Sequence, residues 1–171
     1  MKYRIVILLC YFLIALSSSS QDIKKDLIQF VQPQIGLDNK GNVIPGPSLP
    51  FGMVKLGPDC VGGSNSGYIS GEKIKGFSHT HVSGTGGGAK YGNVTVAPFV
   101  GTLNIEDYAS FGSSEIVQPG YYSVKLDKWN VQAELTTTHS CGFHKYTFPK
   151  PNSSYLLIDA GHFLDYAGNR T

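Results

Sequence analysis

Apolar and polar positions alternate in short runs along the second half of the chain. Tyr121–Leu126 (YYSVKL) sets Tyr122, Val124 and Leu126 on one face and Ser123 and Lys125 on the other. In VQAELTTT, Val131, Ala133 and Leu135 point one way and Gln132, Glu134 and Thr136 the other. GFHKYTF offers His144, Tyr146 and Phe148 to a single face. Alternation with a period of two predicts half-buried antiparallel strands. VTVAPFV predicts another short strand that takes in Asn93, and the continuous apolar run SYLLIDAG predicts one covered on both faces. Gln118-Pro119-Gly120 reads as a turn, and Asp127–Asn130 as a four-residue hairpin loop. Asp22–Gln32 carries a weak helical pattern that fits a short helical turn or an arm. The sum is an all-β chain, expected to fold as an antiparallel β-sandwich. Its polar end at Asn169–Thr171 brings no closing strand, so the sandwich is expected to be incomplete at its C-terminus.

Two segments depart from this alternation. Pro45–Asp59 (PGPSLPFGMVKLGPD) is proline-rich and holds Pro50, Phe51 and Gly52 in succession. Gly76–Gly86 (GFSHTHVSGTG) sets two histidines, two serines and two threonines among glycines. Proline fixes φ and glycine permits positive φ, so both segments read as shaped loops rather than helix or regular sheet. An aromatic ring with convergent imidazoles and hydroxyls is the material of a sugar site: a stacking face plus hydrogen-bonding groups.

Composition narrows the reading. Twenty-one glycines, nine prolines and 15% charged residues in 171 residues suit one loop-rich β domain with a real core. Lys2 and Arg4, the apolar run Ile5–Leu16 and the small residues Ser17–Ser20 form a secretory signal, with cleavage expected before Gln21. Twelve apolar residues fall short of the roughly 20 that span a bilayer. Without that leader, twelve basic residues face twelve acidic ones. A neutral chain with no basic stripe gives no reason to expect nucleic acid or an anionic membrane as partner. The expected location is secreted or periplasmic. The exported chain keeps Cys60 and Cys141, which either pair in an oxidising compartment or stay apart as small buried residues. Sequons stand at Asn93, Asn152 and Asn169.

The two loop segments resemble the N-terminal domain of glycoside hydrolase family 92, the calcium-dependent exo-acting α-mannosidases. FVQPQIG at Phe30–Gly36 is similar to the family's opening segment, and PGYYSVKL and AELTTTHSCGFHKYTFP are similar to its central strands. The resemblance covers roughly Asp26 to Asp159, so residues 21–171 read as that domain. It implies an N-terminal β-sandwich followed, in a longer protein, by a large helical (α/α)6 barrel. That barrel supplies the acid, the base and the Ca2+ ligands, so no catalytic or metal residue is carried over to this chain. Implied partners are mannose-containing glycans and the missing helical domain. The implied activity is inverting removal of terminal mannose from N-glycans or mannans, with this chain inactive by itself. Gly88-Ala89-Lys90 and Asn93 depart from the family pattern and leave fine specificity open.

Within the chain the substrate-binding candidates are Phe51, Gly52, Asp59, Tyr68, His79, His81, Ser83 and Gly84. Phe51 has two readings: a ring set against the C–H face of a pyranose, or a core plug beneath a tight turn. Gly52 lets backbone approach a ligand. Asp59 either bonds sugar hydroxyls or caps a turn after Pro58. Tyr68 is similar to a family position at the pocket rim. His79 and His81, two apart, would share a side in a strand, a spacing that suits metal ligation. No carboxylate follows before Glu106, and His139, His144 or His162 could supply a third ligand only by accident of folding, so lining a saccharide pocket and bonding to backbone in a rigid loop stand ahead of the metal reading. Gly84–Ala89 matches a dinucleotide fingerprint in letters, but no buried strand precedes it and no helix follows. Trp129 is expected to be a packing residue in its hairpin loop. A free-standing carbohydrate-binding β-sandwich is the alternative reading of the whole.

Overall fold

A computed structural model describes residues 26–38, 41–62, 66–82, 91–149 and 153–164. Residues 1–25, with the expected signal, lie outside the described residues, as do Ser83, Gly84 and the rest of the glycine run, Asn152 and Asn169. Leu27–Phe30 forms one 3-10 turn, capped where Asp26 accepts from Ile28 N–H. Eight strands follow: β1 Gly57–Cys60, β2 Ile74–Ser78, β3 Thr95–Val100, β4 Gly112–Gln118, β5 Tyr121–Leu126, β6 Val131–Thr137, β7 Gly142–Thr147 and β8 Ser154–Asp159. They form two antiparallel four-stranded sheets, one in the order β1-β2-β3-β8 and the other a meander β4-β5-β6-β7. The expected all-β antiparallel sandwich is therefore the fold.

The meander follows from the alternation. Tyr122, Val124 and Leu126 on β5 and Val131, Ala133 and Leu135 on β6 are all buried, with Tyr122 opposite Leu135 and Val124 opposite Ala133. Pro119 and Gly120 (φ 76°) make the two-residue turn between β4 and β5, with glycine where the backbone is left-handed. Across the core, Phe77 of β2 meets Tyr122 and Tyr146 with ring centroids 6.4 and 6.1 Å apart, which ties the two sheets together. Trp129 packs against this core and donates from Nε1 to the Tyr108 carbonyl, the packing role expected of it.

Three expectations need correction, and one strand was not foreseen. The loop segments are not loop throughout: Gly57–Cys60 and Ile74–Ser78 pair as β1 and β2, Asp59 opposite Gly76. Burial on both faces hid their alternation, since β1 is buried at every position. β4 escaped notice for the opposite reason, being an exposed strand at a sheet end. β8 is not covered on both faces: Tyr155, Leu156 and Ile158 are exposed, because β8 ends its sheet and pairs only with β3. Asn93 precedes β3 rather than lying in a strand, since the chain turns through Val94 at φ 57° before Thr95.

Candidate functional site

The site is built around one turn. Gly52 N–H donates to Leu49 C=O at 2.9 Å, closing a four-residue turn with Pro50 and Phe51 at its centre. Phe51 has φ 59°, at the position where such a turn ordinarily takes glycine. A left-handed backbone costs an L-residue roughly 1–2 kcal/mol. The ring that this strained position carries is 98% exposed. The core-plug reading is excluded, and the ring is displayed on the surface.

The turn is anchored, not floating. Met53 N–H donates to His139 C=O at 2.8 Å, and Lys55 N–H to His79 C=O at 2.9 Å. A Cβ added at Gly52 would stand 3.1 Å from the Leu49 carbonyl and in ordinary contact, 3.5 Å, with that of His139. The β6–β7 turn, Thr138–Cys141, is closed by Thr138 N–H to Cys141 C=O at 2.9 Å. Phe51, Met53, His139 and Cys141 thus form one exposed rim around the start of β7.

The two predicted histidines part company. β2 ends at Ser78, so His79 and His81 do not sit on a regular strand, and they face different surroundings. His79 turns to His144 of β7, Nε2 to Nε2 2.9 Å, with ring centroids 4.8 Å apart. Its Nδ1 lies 3.3 Å from the Val94 carbonyl, and His144 Nδ1 lies 2.8 Å from the Tyr146 hydroxyl. Burial, helped by the neighbouring His79, pushes His144 down to about 4. His81 instead is buried, with Nδ1 2.8 Å from the Lys55 carbonyl and Nε2 2.7 Å from Asp59 Oδ1.

Asp59 neither caps an exposed turn nor reaches solvent: its side chain is wholly buried. Thr95 Oγ1 donates to Oδ2 at 3.1 Å, and His162 Nε2 stands 3.0 Å from the same oxygen, an ion contact without hydrogen-bond alignment. Burial works against the charge, but His81 and His162 override it and hold the carboxyl well below its usual range. The reverse holds at His81, where burial is outweighed by Asp59 and the imidazolium is favoured. Tyr68 is also buried, donating to Glu115 Oε2 at 2.8 Å, while Tyr122 donates to Oε1 at 2.6 Å. A bulge at Ser114 (φ 51°) re-aims Glu115 toward both hydroxyls.

The candidates therefore divide. Phe51, Gly52 and His79 share the rim; Asp59, His81 and Tyr68 belong to the buried framework beneath it. Cys60 is a buried free thiol that donates to the Ile69 carbonyl, and burial pushes it up to about 12; Cys141 is free and exposed. A cleft of about 740 Å³ is lined by Val61, Lys75, Tyr108, Ile158, Asp159 and His162 among others, and by none of the rim residues. Sequence reasoning missed His139, His144 and Cys141 as rim residues. Alternation in GFHKYTF did place His144 with Tyr146, but nothing local said which histidine it would meet.

Comparison with known proteins fits this framework. The Glycosyl hydrolase family 92 N-terminal domain model matches residues 30–171. The chain belongs to that family. An "Uncharacterized secreted glycosidase" of Arthroderma benhamiae is 32% identical over 174 residues, covering 91% of this chain and 22% of that protein. The solved family GH92 alpha-mannosidase of Bacteroides thetaiotaomicron, known also in complex with mannoimidazole, superposes with TM-score 0.75 at 33% identity, over 81% of this chain and 20% of that one. The GH92 family glycosyl hydrolase ccman5 gives TM-score 0.72 at 28% identity, over 81% and 21%. The chain thus spans about a fifth of the length of these relatives. Among the described residues no helix is long and apolar enough to cross a membrane.

Proposed function

We propose that this chain is the sugar-facing N-terminal domain of an exported α-mannosidase that removes terminal mannose from N-glycans or mannans with inversion. The observation that carries this reading is Phe51, a ring held outside the core at a strained backbone position. Strain kept at an exposed aromatic points to selection for contact with something outside the domain. An aromatic face excludes water from the C–H side of a pyranose and fixes its orientation. Gly52, with no side chain, leaves room for the ligand beside that ring. The cleft of about 740 Å³ lies away from the rim, and the exposed rim suits one wall of a pocket completed by a second module.

Chemistry by this chain alone is not expected. Inversion needs an acid and a base on opposite faces of the anomeric carbon, with room for water between. Four carboxylates among the described residues are engaged elsewhere: Asp59 with two histidines, Glu115 with two tyrosines, Glu134 with Lys145 and Tyr121, Asp107 with Lys128. Asp59, held as the anion and buried, cannot serve as a general acid. The described residues do not fit Ca2+ either, which needs six or more oxygen ligands; none of their His, Cys, Asp and Glu form a group of three or more able to hold a metal. No step here runs through that ion. Export is supported by the leader-like first twenty residues and by a relative named as secreted.

The test compares the 171-residue chain with a longer parent containing a helical domain, each assayed on an aryl α-mannoside with calcium. Turnover by the parent alone is expected. Turnover by the short chain would overturn the division of labour, and an inert parent would overturn the activity. The same exposed ring favours a second reading, a free-standing carbohydrate-binding β-sandwich. Saturable mannoside binding by the short chain, with no active parent, would select it.

A further inference from the structure

His79 follows β2 in one sheet and His144 lies on β7 in the other, yet their Nε2 atoms meet at 2.9 Å. A carbonyl only accepts, so the contact from His79 Nδ1 to Val94 C=O makes Nδ1 the protonated nitrogen and leaves Nε2 a lone pair. On the far side of His144, the Tyr146 hydroxyl sits 2.8 Å from Nδ1. With the hydroxyl donating to Nδ1, His144 carries its proton on Nε2 and donates it to His79 Nε2, so one proton holds the two nitrogens together. A cation displacing that proton, with the hydroxyl turned to accept from Nδ1–H, would take one lone pair from each ring.

We propose that His79 and His144 form a two-histidine site for a divalent transition-metal ion such as Zn2+, which clamps the two sheets at the rim. Two imidazole nitrogens about 2.05 Å from one tetrahedral ion lie about 3.3 Å apart, so the pair needs to open by only a few tenths of an ångström. Ring orientation is already fixed by partners on the outer nitrogens, a carbonyl and a hydroxyl, the arrangement that metal-bound histidines ordinarily show. Gly142 presses on the His79 ring from β7, and an added Cβ there would come within 2.6 Å of Cδ2, so the ring has little freedom to turn away. Both histidines are partly open to solvent, and water supplies the remaining ligands. Metal binding here is measured without sugar, and the site is distinct from the catalytic calcium implied by the family.

The test uses the full chain stripped with a chelator and titrated with Zn2+ by calorimetry. One ion per chain is expected, and affinity should fall by more than about tenfold, the loss typical of an outer-shell partner, in His144→Gln and in His79→Gln. His139→Gln with Cys141→Ser should bind as the parent does. Should the histidine variants fail to fold, the unaltered chain still decides: zinc at about 100 times Kd should raise Tm by about 5–10 °C, and imidazole 15N resonances of two histidines should shift at Nε2. Absent saturable binding, equal affinity in the histidine variants, or loss of binding only in the His139/Cys141 variant would overturn the proposal.

Discussion

Asp59→Asn tests the framework beneath the rim. The substitution keeps shape but removes the charge that a buried imidazole faces at 2.7 Å. Breaking a buried ion pair by removing one partner costs about 3–5 kcal/mol. The retained amide oxygen can still accept from Thr95 Oγ1, so the lower end, about 3 kcal/mol, is expected. At 2–4 °C per kcal/mol for a domain of this size, Tm should fall by about 6–12 °C. The pH dependence gives a sharper signature. The folded pKa of Asp59 is depressed, so its contribution is present above about pH 3.9 and lost as pH falls through the folded value. That of His81 is raised, so its contribution is present below about pH 6.5 and lost as pH rises through the folded value. The pair is therefore most stabilising between about pH 4 and 6.5. In the variant, burial lowers the His81 pKa and the surviving bond to the Lys55 carbonyl raises it. Burial is the larger influence, so the pKa falls and the His81 contribution should grow as pH rises toward about 6.5 instead of declining above it. Thermal melts at closely spaced pH values read both effects. A variant within about 1 kcal/mol of the parent, with an unchanged pH profile, would refute the reasoning.

Three further outcomes follow from the packing. Gly142→Ala should destabilise by about 1–3 kcal/mol, because its Cβ would come within 2.6 Å of the His79 ring and 3.3 Å of Leu56 Cδ2; urea unfolding measures it. Tyr122→Phe should lose about 1–3 kcal/mol by the same assay, since it removes the buried hydroxyl bonded to Glu115 at 2.6 Å. With a thiol reagent at pH 8, mass mapping should find Cys141 modified and Cys60 protected, because Cys60 is buried with its thiol pushed up to about 12 while Cys141 is exposed.

The legible parts of the fold were those where one face is wet. β5, β6 and β7 could be read residue by residue because Lys125, Gln132, Glu134 and Lys145 stand more open to solvent than the residues they alternate with. β1 and β2 could not: GPDC and IKGFS show little contrast once Asp59 and Ser78 are buried among apolar neighbours. β8 misled in the other direction, because Leu156 and Ile158 look like core residues but are half or more exposed at the end of a sheet. Of the site, Phe51 and Gly52 were legible because proline before them and glycine after them announce a turn. Pairing across 22 residues from Asp59 to His81, and 65 from His79 to His144, depends on sheet register, which short motifs do not encode.

The central claim is that Phe51 is held in a costly conformation for contact with sugar and not for stability. The direct measurement is Phe51→Gly in the longer parent enzyme, with kcat/KM on an α-mannoside and Tm followed together. Glycine accepts φ 59° without strain, and a ring 98% exposed contributes little packing, so Tm should stay within a few degrees or rise while kcat/KM falls at least tenfold. A marked loss of Tm with kcat/KM intact in the folded enzyme would contradict the account.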